Sequence, residues 1–217
     1  LKRHPILLHR LAEAWHILGP SLGWIAPLWL IRPSYRILVR DLAGPLPEPG
    51  RSDLSCARLT EGDVPMLLEA DSLLTRAEVR RRLRDGEECY LYCLGPDLAH
   101  YRWETTRPTY LPYIGKTARP LADDVFACGA FTVPRYRRRG VQSAACLLSL
   151  ARQRNVGLRR SITDVAWWNT PSLRVERDKA GRSVAGAIGY WRLGLSRHYQ
   201  ATGRVRLGPD DDFWVDP

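Results

Sequence analysis

The sequence predicts one α/β domain whose mixed, mainly antiparallel sheet is flanked by helices and preceded by an N-terminal helical extension. Three observations carry this. First, the hydrophobic period changes within 125–155. Residues 125–133 form a β-prone apolar run, and after a basic turn Val141, Ala144, Ala145, Leu148 and Ala151 recur at helical spacing. Second, the runs 88–94 and 98–104 flank Gly95-Pro96-Asp97 and read as a hairpin. Third, strand and helix patterns alternate from Ser55 to Trp191. A chain of 217 residues holds one domain of ordinary size plus an extension.

In chain order, residues 1–52 read as a hydrophobic, helical extension with a linker. A helix over 5–18 has Pro5 near its start and is broken by Gly19-Pro20. The apolar run 21–31 carries Trp24 and Trp29 but is interrupted by Pro27, and is too short for a bilayer span of ~20 residues. Packing on the domain, a subunit contact and peripheral membrane contact are the three expectations for it. Residues 35–39 read as a strand, and 44–50 as a Pro/Gly linker.

The domain is expected over 53–195. It opens with a strand at 55–59 and a helix capped by Thr60, with Val64, Leu67 and Leu68 inward. Thr75-Arg76-Ala77-Glu78 opens an Arg-rich second helix. One face of the following hairpin carries His100, Arg102 and Glu104. The Pro-rich stretch 105–124 reads as a substrate-covering loop. A strand over 160–167 leads to Asn169-Thr170-Pro171-Ser172 and a helix ending near Gly181, and 183–191 is a last strand. Residues 196–217 are expected to form a tail.

The turn at 134–140 places arginines and one glycine at a helix N-terminus, where free N–H groups and the dipole attract anions. Val133, Pro134, Tyr136, Arg137 and Gly140 resemble the pyrophosphate loop of the GNAT superfamily of N-acyltransferases, (Q/R)-x-x-G-x-(G/A) after a strand. Gln142 departs from the small residue usual there. Asn169 and Ser172 are similar to the family's later N-x-x-(A/S). Arg182 stands where an aromatic is usual, and Glu176 and Arg177 occupy the region of the tyrosine that often acts as general acid.

The resemblance implies a GNAT-like fold and direct acyl transfer from acetyl-CoA or a longer acyl-CoA, with acyl carrier protein as another donor. The acceptor would be an amine on a small molecule or a glycan or peptide precursor. The cofactor-binding residues so implied are Phe131, Thr132, Val133, Arg137, Arg138, Arg139, Gly140, Val141, Gln142, Ser143, Asn169 and Ser172. Transfer needs a base for the amine. Glu104 is the first candidate because it ends a strand on the polar hairpin face. Asp124 and His100 are rivals, and Asn169 is placed to orient the thiol or a water. A degenerate module that binds CoA or a carrier without turnover is the alternative.

Composition narrows the partners. A net charge of +10 fits CoA, a carrier protein, anionic lipid or nucleic acid, but no helix-turn-helix, zinc or RNA-binding signature accompanies it. The five cysteines show no CxxC pair and no metal-ligand spacing, and read as reduced core thiols of a cytoplasmic protein.

Overall fold

The computed structural model describes residues 34–193 and 196–217. The helix expected over 5–18 and the tryptophan-bearing run after it lie outside the described residues.

Eight strands form the main sheet: β1 (Ser34–Asp41), β2 (Leu54–Arg58), β3 (Glu88–Leu94), β4 (Asp97–Thr105), β7 (Asp124–Thr132), β8 (Arg160–Ala166), β9 (Ser183–Leu193) and β10 (Ser196–Gly203). Their spatial order is β10-β9-β1-β8-β7-β4-β3-β2. Every pairing is antiparallel except β7 with β8. A smaller sheet, β11-β12-β6-β5, joins the hairpin β5 (Thr109–Leu111) and β6 (Lys116–Ala118) to β11 (Val205–Leu207) and β12 (Asp212–Val215). The helices are α1 (Val64–Ala70), α2 (Arg76–Arg84), α3 (Val141–Asn155) and α4 (Thr170–Arg174), the last continuing as a π-helical turn over Val175–Lys179.

The pairing runs across both expected boundaries, 52/53 and 195/196. Residues 34–41, grouped with the extension in the sequence reading, form β1 between β8 and β9. There Tyr35, Ile37, Leu38 and Val39 are all buried. Residues 196–217, expected as a tail, supply the edge strand β10 and half of the smaller sheet. The stretch 105–124 is likewise a paired hairpin rather than a loose loop, because β6 runs parallel to β12. Its prolines lie outside the paired residues, as the missing proline N–H requires.

Helices α1 and α2 and the smaller sheet cover one face of the main sheet. Val64, Leu67, Val79, Trp103, Phe126, Ile162, Ile114 and Phe213 form that core. Thr60 and Asp63 form a capping box at the turn before α1, and Thr75 accepts the Glu78 N–H at 3.2 Å to start α2. Helix α3 covers the other face. Its Val141, Ala144 and Ala145 pack on Tyr90, Tyr92 and Ala99.

The polar hairpin face lies beneath α3 and is matched by polar groups on that helix. Ser149 Oγ donates to Glu104 at 2.5 Å, and Arg152 pairs with the same carboxylate. Arg102 donates to Glu176 at 2.5 Å, and Arg182 reaches the other oxygen of Glu176 at 2.8 Å. Arg182, standing where the resemblance expects an aromatic, also donates to Ser161 Oγ at 2.9 Å. The Arg102–Glu176–Arg182 chain therefore ties β4, the π-helical turn, the residue before β9, and β8. Burial alone would raise the Glu176 carboxyl. The two guanidiniums outweigh it and hold the group down to about 2.

A buried charge whose partner is removed is strongly destabilising, by about 3–5 kcal/mol. Glu176→Gln leaves two guanidiniums buried against a neutral amide. Its melting temperature should fall by roughly 10 °C or more. A calorimetric scan showing a drop of only a degree or two would mean that the chain contributes little to folding.

Candidate active site

Strands β7 and β8 pair only over Asp124–Ala127 and Arg160–Thr163. Beyond that they part. The cause lies on the other side of β7. The register with β4 shifts between Tyr101 and Trp103, so that Gly129 and Ala130 face the single residue Arg102. Such a bulge bends the bulged strand and increases its twist. Gly129 has φ +56°, and a Cβ there would lie 2.8 Å from the Arg82 guanidinium and 3.1 Å from the Trp103 ring. Glycine is thus required where β7 turns away from β8. The edge of residues 128–132 facing β8 has no strand partner.

Two clefts open at this splay. The first has a volume of about 520 Å³ and is lined by Thr132, Arg137, Arg138, Gly140, Gln142 and Ser143, among others, with His100 at its side. It lies at the N-terminus of α3, where helix dipole and unpaired N–H groups favour an anion. Gly140, the residue before α3, has φ +75° and ψ 0°, and Arg138 has φ 62°. The Arg137 Nε donates to the Thr132 carbonyl at 3.0 Å and anchors the loop on β7. Gln142, at the position of a usual small residue, donates from Nε2 to Ser172 Oγ at 3.1 Å.

The second cleft, of about 340 Å³, lies on the other side of the splay between α2, the β5–β6 hairpin and β8. It carries Asp164, the first residue of β8 beyond the paired segment. Tyr113 Oη donates to Asp164 Oδ1 at 2.9 Å. Burial pushes the Asp164 carboxyl up to about 6. The Tyr113 bond and the more distant Arg102 offset only part of that rise. Ala130, Phe131, Asn169 and Ser172 line both clefts, so the two meet there.

Ten of the twelve expected cofactor residues line the first cleft: Phe131, Thr132, Arg137, Arg138, Gly140, Val141, Gln142, Ser143, Asn169 and Ser172. Val133 and Arg139 flank it. Asn169 accepts the Ser172 N–H at 3.3 Å, capping α4, and stands where the clefts join.

The structure places the candidate carboxylates elsewhere. Glu104 is buried under α3 with both oxygens engaged by Ser149 and Arg152. Asp124 lies at the closed end of the β7–β8 ladder, where Arg160 grips both of its oxygens at 2.7 Å. The alternation that singled out Glu104 revealed a polar face but not the helix covering it. His100 borders the first cleft, but burial holds its ring down to about 3, so it is neutral at physiological pH. Its Nδ1 lies 2.8 Å from Thr132 Oγ1. The thiols of Cys128 and Cys146 are poor nucleophiles, since burial raises both, Cys128 to about 12.

No family model matches the chain, and no curated protein matches it by sequence. Solved structures do match. A protein of Novosphingobium aromaticivorans assigned to the GNAT acetyltransferases superposes with TM-score 0.51 at 18% identity, over 74% of this chain and 63% of that one. A GCN5-related N-acetyltransferase from Sphaerobacter thermophilus gives TM-score 0.56 at 13% identity, over 88% and 57%. The chain has the GNAT fold. A third such protein, from Kribbella flavida, agrees with TM-score 0.51 at 13% identity, over 76% and 59%. The chain thus spans between 57% and 63% of the length of these three proteins. At such identities the likeness is one of fold, and what the site does must be argued from its own residues.

Sequence reasoning missed Asp164. Its signal was a lone carboxylate within the apolar strand Ser161-Ile162-Thr163-Asp164-Val165-Ala166. A half-buried carboxylate with a raised pKa lowers stability once it ionises. The native state then holds its proton more tightly than the unfolded chain. Stability is therefore lost as pH rises from about 4 to about 6, and the loss is complete above that. Asp164→Asn should raise the melting temperature at pH 7.5 by several degrees, about 1–2 kcal/mol, and leave it unchanged at pH 4. An unchanged melting temperature at pH 7.5 would show that Asp164 ionises without cost.

Proposed function

We propose that this chain is an acyltransferase that moves an acetyl or longer acyl group from a coenzyme A thioester to an amine. The observation that supports this best is the meeting of an anion-binding cleft and a carboxylate-bearing cleft at the β7–β8 splay. The donor's pyrophosphate would sit on the amides around Gly140–Ser143, with Arg137 and Arg138 beside it. Its pantetheine arm would add to the open edge of 128–132 as a strand does. That path brings the thioester to Ala130, Phe131 and Asn169.

The acceptor would enter from the second cleft. Its ammonium group gives a proton to the Asp164 carboxylate, which is poised near neutrality for that exchange. The amine nitrogen forms a bond to the acyl carbon and gives up its second proton to solvent, the carbon–sulfur bond breaks, and the thiolate takes up a proton. Glu176 occupies the region of the family's usual tyrosine acid but is ionised and committed to two arginines. The proton for sulfur would therefore come from solvent or from the acid form of Asp164. Acyl carrier protein is the alternative donor, met by the basic loop 135–139.

One observation favours a second reading, binding without turnover. The Gln142–Ser172 hydrogen bond joins two residues that line the first cleft, and the large side chain of Gln142 would take space from a donor there. Turnover assays separate the two readings, since a pure binding module takes up acetyl-CoA and releases no CoA with any amine.

A Cβ on Gly140 meets nothing within 4 Å, so a side chain there disturbs only the backbone angle and the cleft. Gly140→Glu should weaken acetyl-CoA binding by at least 100-fold in isothermal titration, while melting falls by a few degrees. Gly140→Ala carries the same left-handed strain, about 1–2 kcal/mol, and should stay within tenfold of the parent. Equal binding by all three proteins would rule out the loop as the phosphate site.

A further inference from the structure

We infer that the acceptor is a small primary monoamine with a flat or slender apolar body, its ammonium group set against Asp164 and its body against the aromatic and aliphatic rim of the second cleft. This rests on the acyl-transfer reading and names the acceptor class for the same site.

The charge pattern limits the acceptor to one ammonium. Four carboxylates line the cleft. Arg81 holds Glu78 at 2.8 Å, and Arg102 and Arg182 hold Glu176. Asp71 accepts from Tyr101 Oη at 2.6 Å and from the Leu73 N–H at 3.0 Å. Neither Asp71 nor Asp164 forms an ion pair among the described residues, but Asp71 has a donor on each oxygen, whereas the one side-chain bond to Asp164 falls on Oδ1 and leaves Oδ2 for a ligand. A second cationic group on the acceptor would face the guanidiniums of Arg81 and Arg82, which line the same cleft.

The walls limit the rest of the molecule. Leu73, Leu74, Tyr110, Pro112, Tyr113 and Phe131 supply the apolar and aromatic part of the lining. Leu73 and Tyr110 are 59% and 54% exposed, and both stand at this cleft. An apolar ligand body would cover them. The tyrosine hydroxyls of Tyr101 and Tyr113 are already committed within the protein. The polar lining is largely engaged within the protein, Glu78 by Arg81, Arg82 by Glu87 and Asp71 by Tyr101, so the uncommitted wall consists mainly of ring faces and aliphatic edges. A rejected polar ligand would leave its own hydroxyls unpaired, which costs binding. Ring faces also attract an ammonium group.

The groups facing Asp164 are Tyr113 from the β5–β6 hairpin, Arg102 from β4 and Glu176 from the π-helical turn; its partner in β1 is the apolar Ile37. Burial keeps the Tyr113 phenol protonated, and Glu176 remains ionised, so neither changes state between pH 5 and 7.5. A loss of amine affinity in that range reports on Asp164.

The test uses the full chain and three probes: 2-phenylethylamine, the neutral isostere 2-phenylethanol, and the polycation spermidine. Binding is measured by calorimetry at pH 7.5 and pH 5, with and without saturating CoA. At pH 7.5 phenylethylamine should bind at least tenfold tighter than either other probe. Asp164→Asn, or pH 5, should bring it to the level of the alcohol. Tyr110→Ala should weaken amine and alcohol by similar factors, with Asp164 intact. Equal binding of amine and alcohol, tighter binding of spermidine, no binding of the amine, or full affinity in Asp164→Asn would each overturn the inference. The acyl-transfer reading fails separately: a protein that takes the amine but gives no signal with CoA keeps the acceptor assignment and loses the donor.

Discussion

Both walls of the site depend on the buried chain Arg102–Glu176–Arg182. Arg102 stands on β4 opposite the bulge in β7, and Glu176 lies on the turn that continues α4. Their bond joins the strand that bends away to the helix that carries Asn169 and Ser172. Arg182 extends the link to Ser161 in the paired part of β8. Three charges buried this deeply must be held to tight geometry, because any loosening exposes uncompensated charge in a poorly polarisable interior. The width of the splay is thereby set by electrostatics as much as by packing.

The bulge and the glycine at its centre turn that scaffold into a passage. Where β7 and β8 stay paired, side chains such as Phe126 and Ile162 belong to the core. Where they part, backbone groups of one strand and the Asp164 carboxylate of the other become available to ligands. At the site the backbone enters the left-handed region at Arg138 and Gly140 of the loop and at Gly129 of the bulge. Such conformations persist only where the surroundings fix them, and they concentrate at functional sites. The raised pKa of Asp164 fits the same pattern, since burial of an ionisable group without a countercharge weakens the fold.

The parts of the fold legible in the sequence are those whose signal is local. The change of period across 125–155, the Thr60 and Thr75 caps and the hairpin at 95–97 all appear in the structure. Local patterns do not carry pairing partners. β1 meets strands more than a hundred residues away, so nothing in Tyr35–Val39 distinguishes a central strand from an isolated one. The prolines of 105–124 and the weak pattern of 196–217 each looked unstructured because each supplies only half of the smaller sheet. Eight of the ten expected cofactor residues that line the first cleft lie within 131–143 and were legible as one contiguous stretch. The carboxylates were not, because a strand's alternation shows which side chains share a face and not what covers that face. Glu104 lies under α3, while Asp164 faces the cleft.

Under the proposed function the splay and the α3 N-terminus form one donor site. Titrating coenzyme A into the uniformly 15N-labelled full chain tests it most directly. The backbone amides of Gly140–Ser143 and of 128–132 should shift together with one saturation curve, while those of the paired segment 124–127 and of β10 to β12 stay in place. Shifts scattered over the exposed arginines of α2 and the surface, and erased by moderate salt, would contradict it.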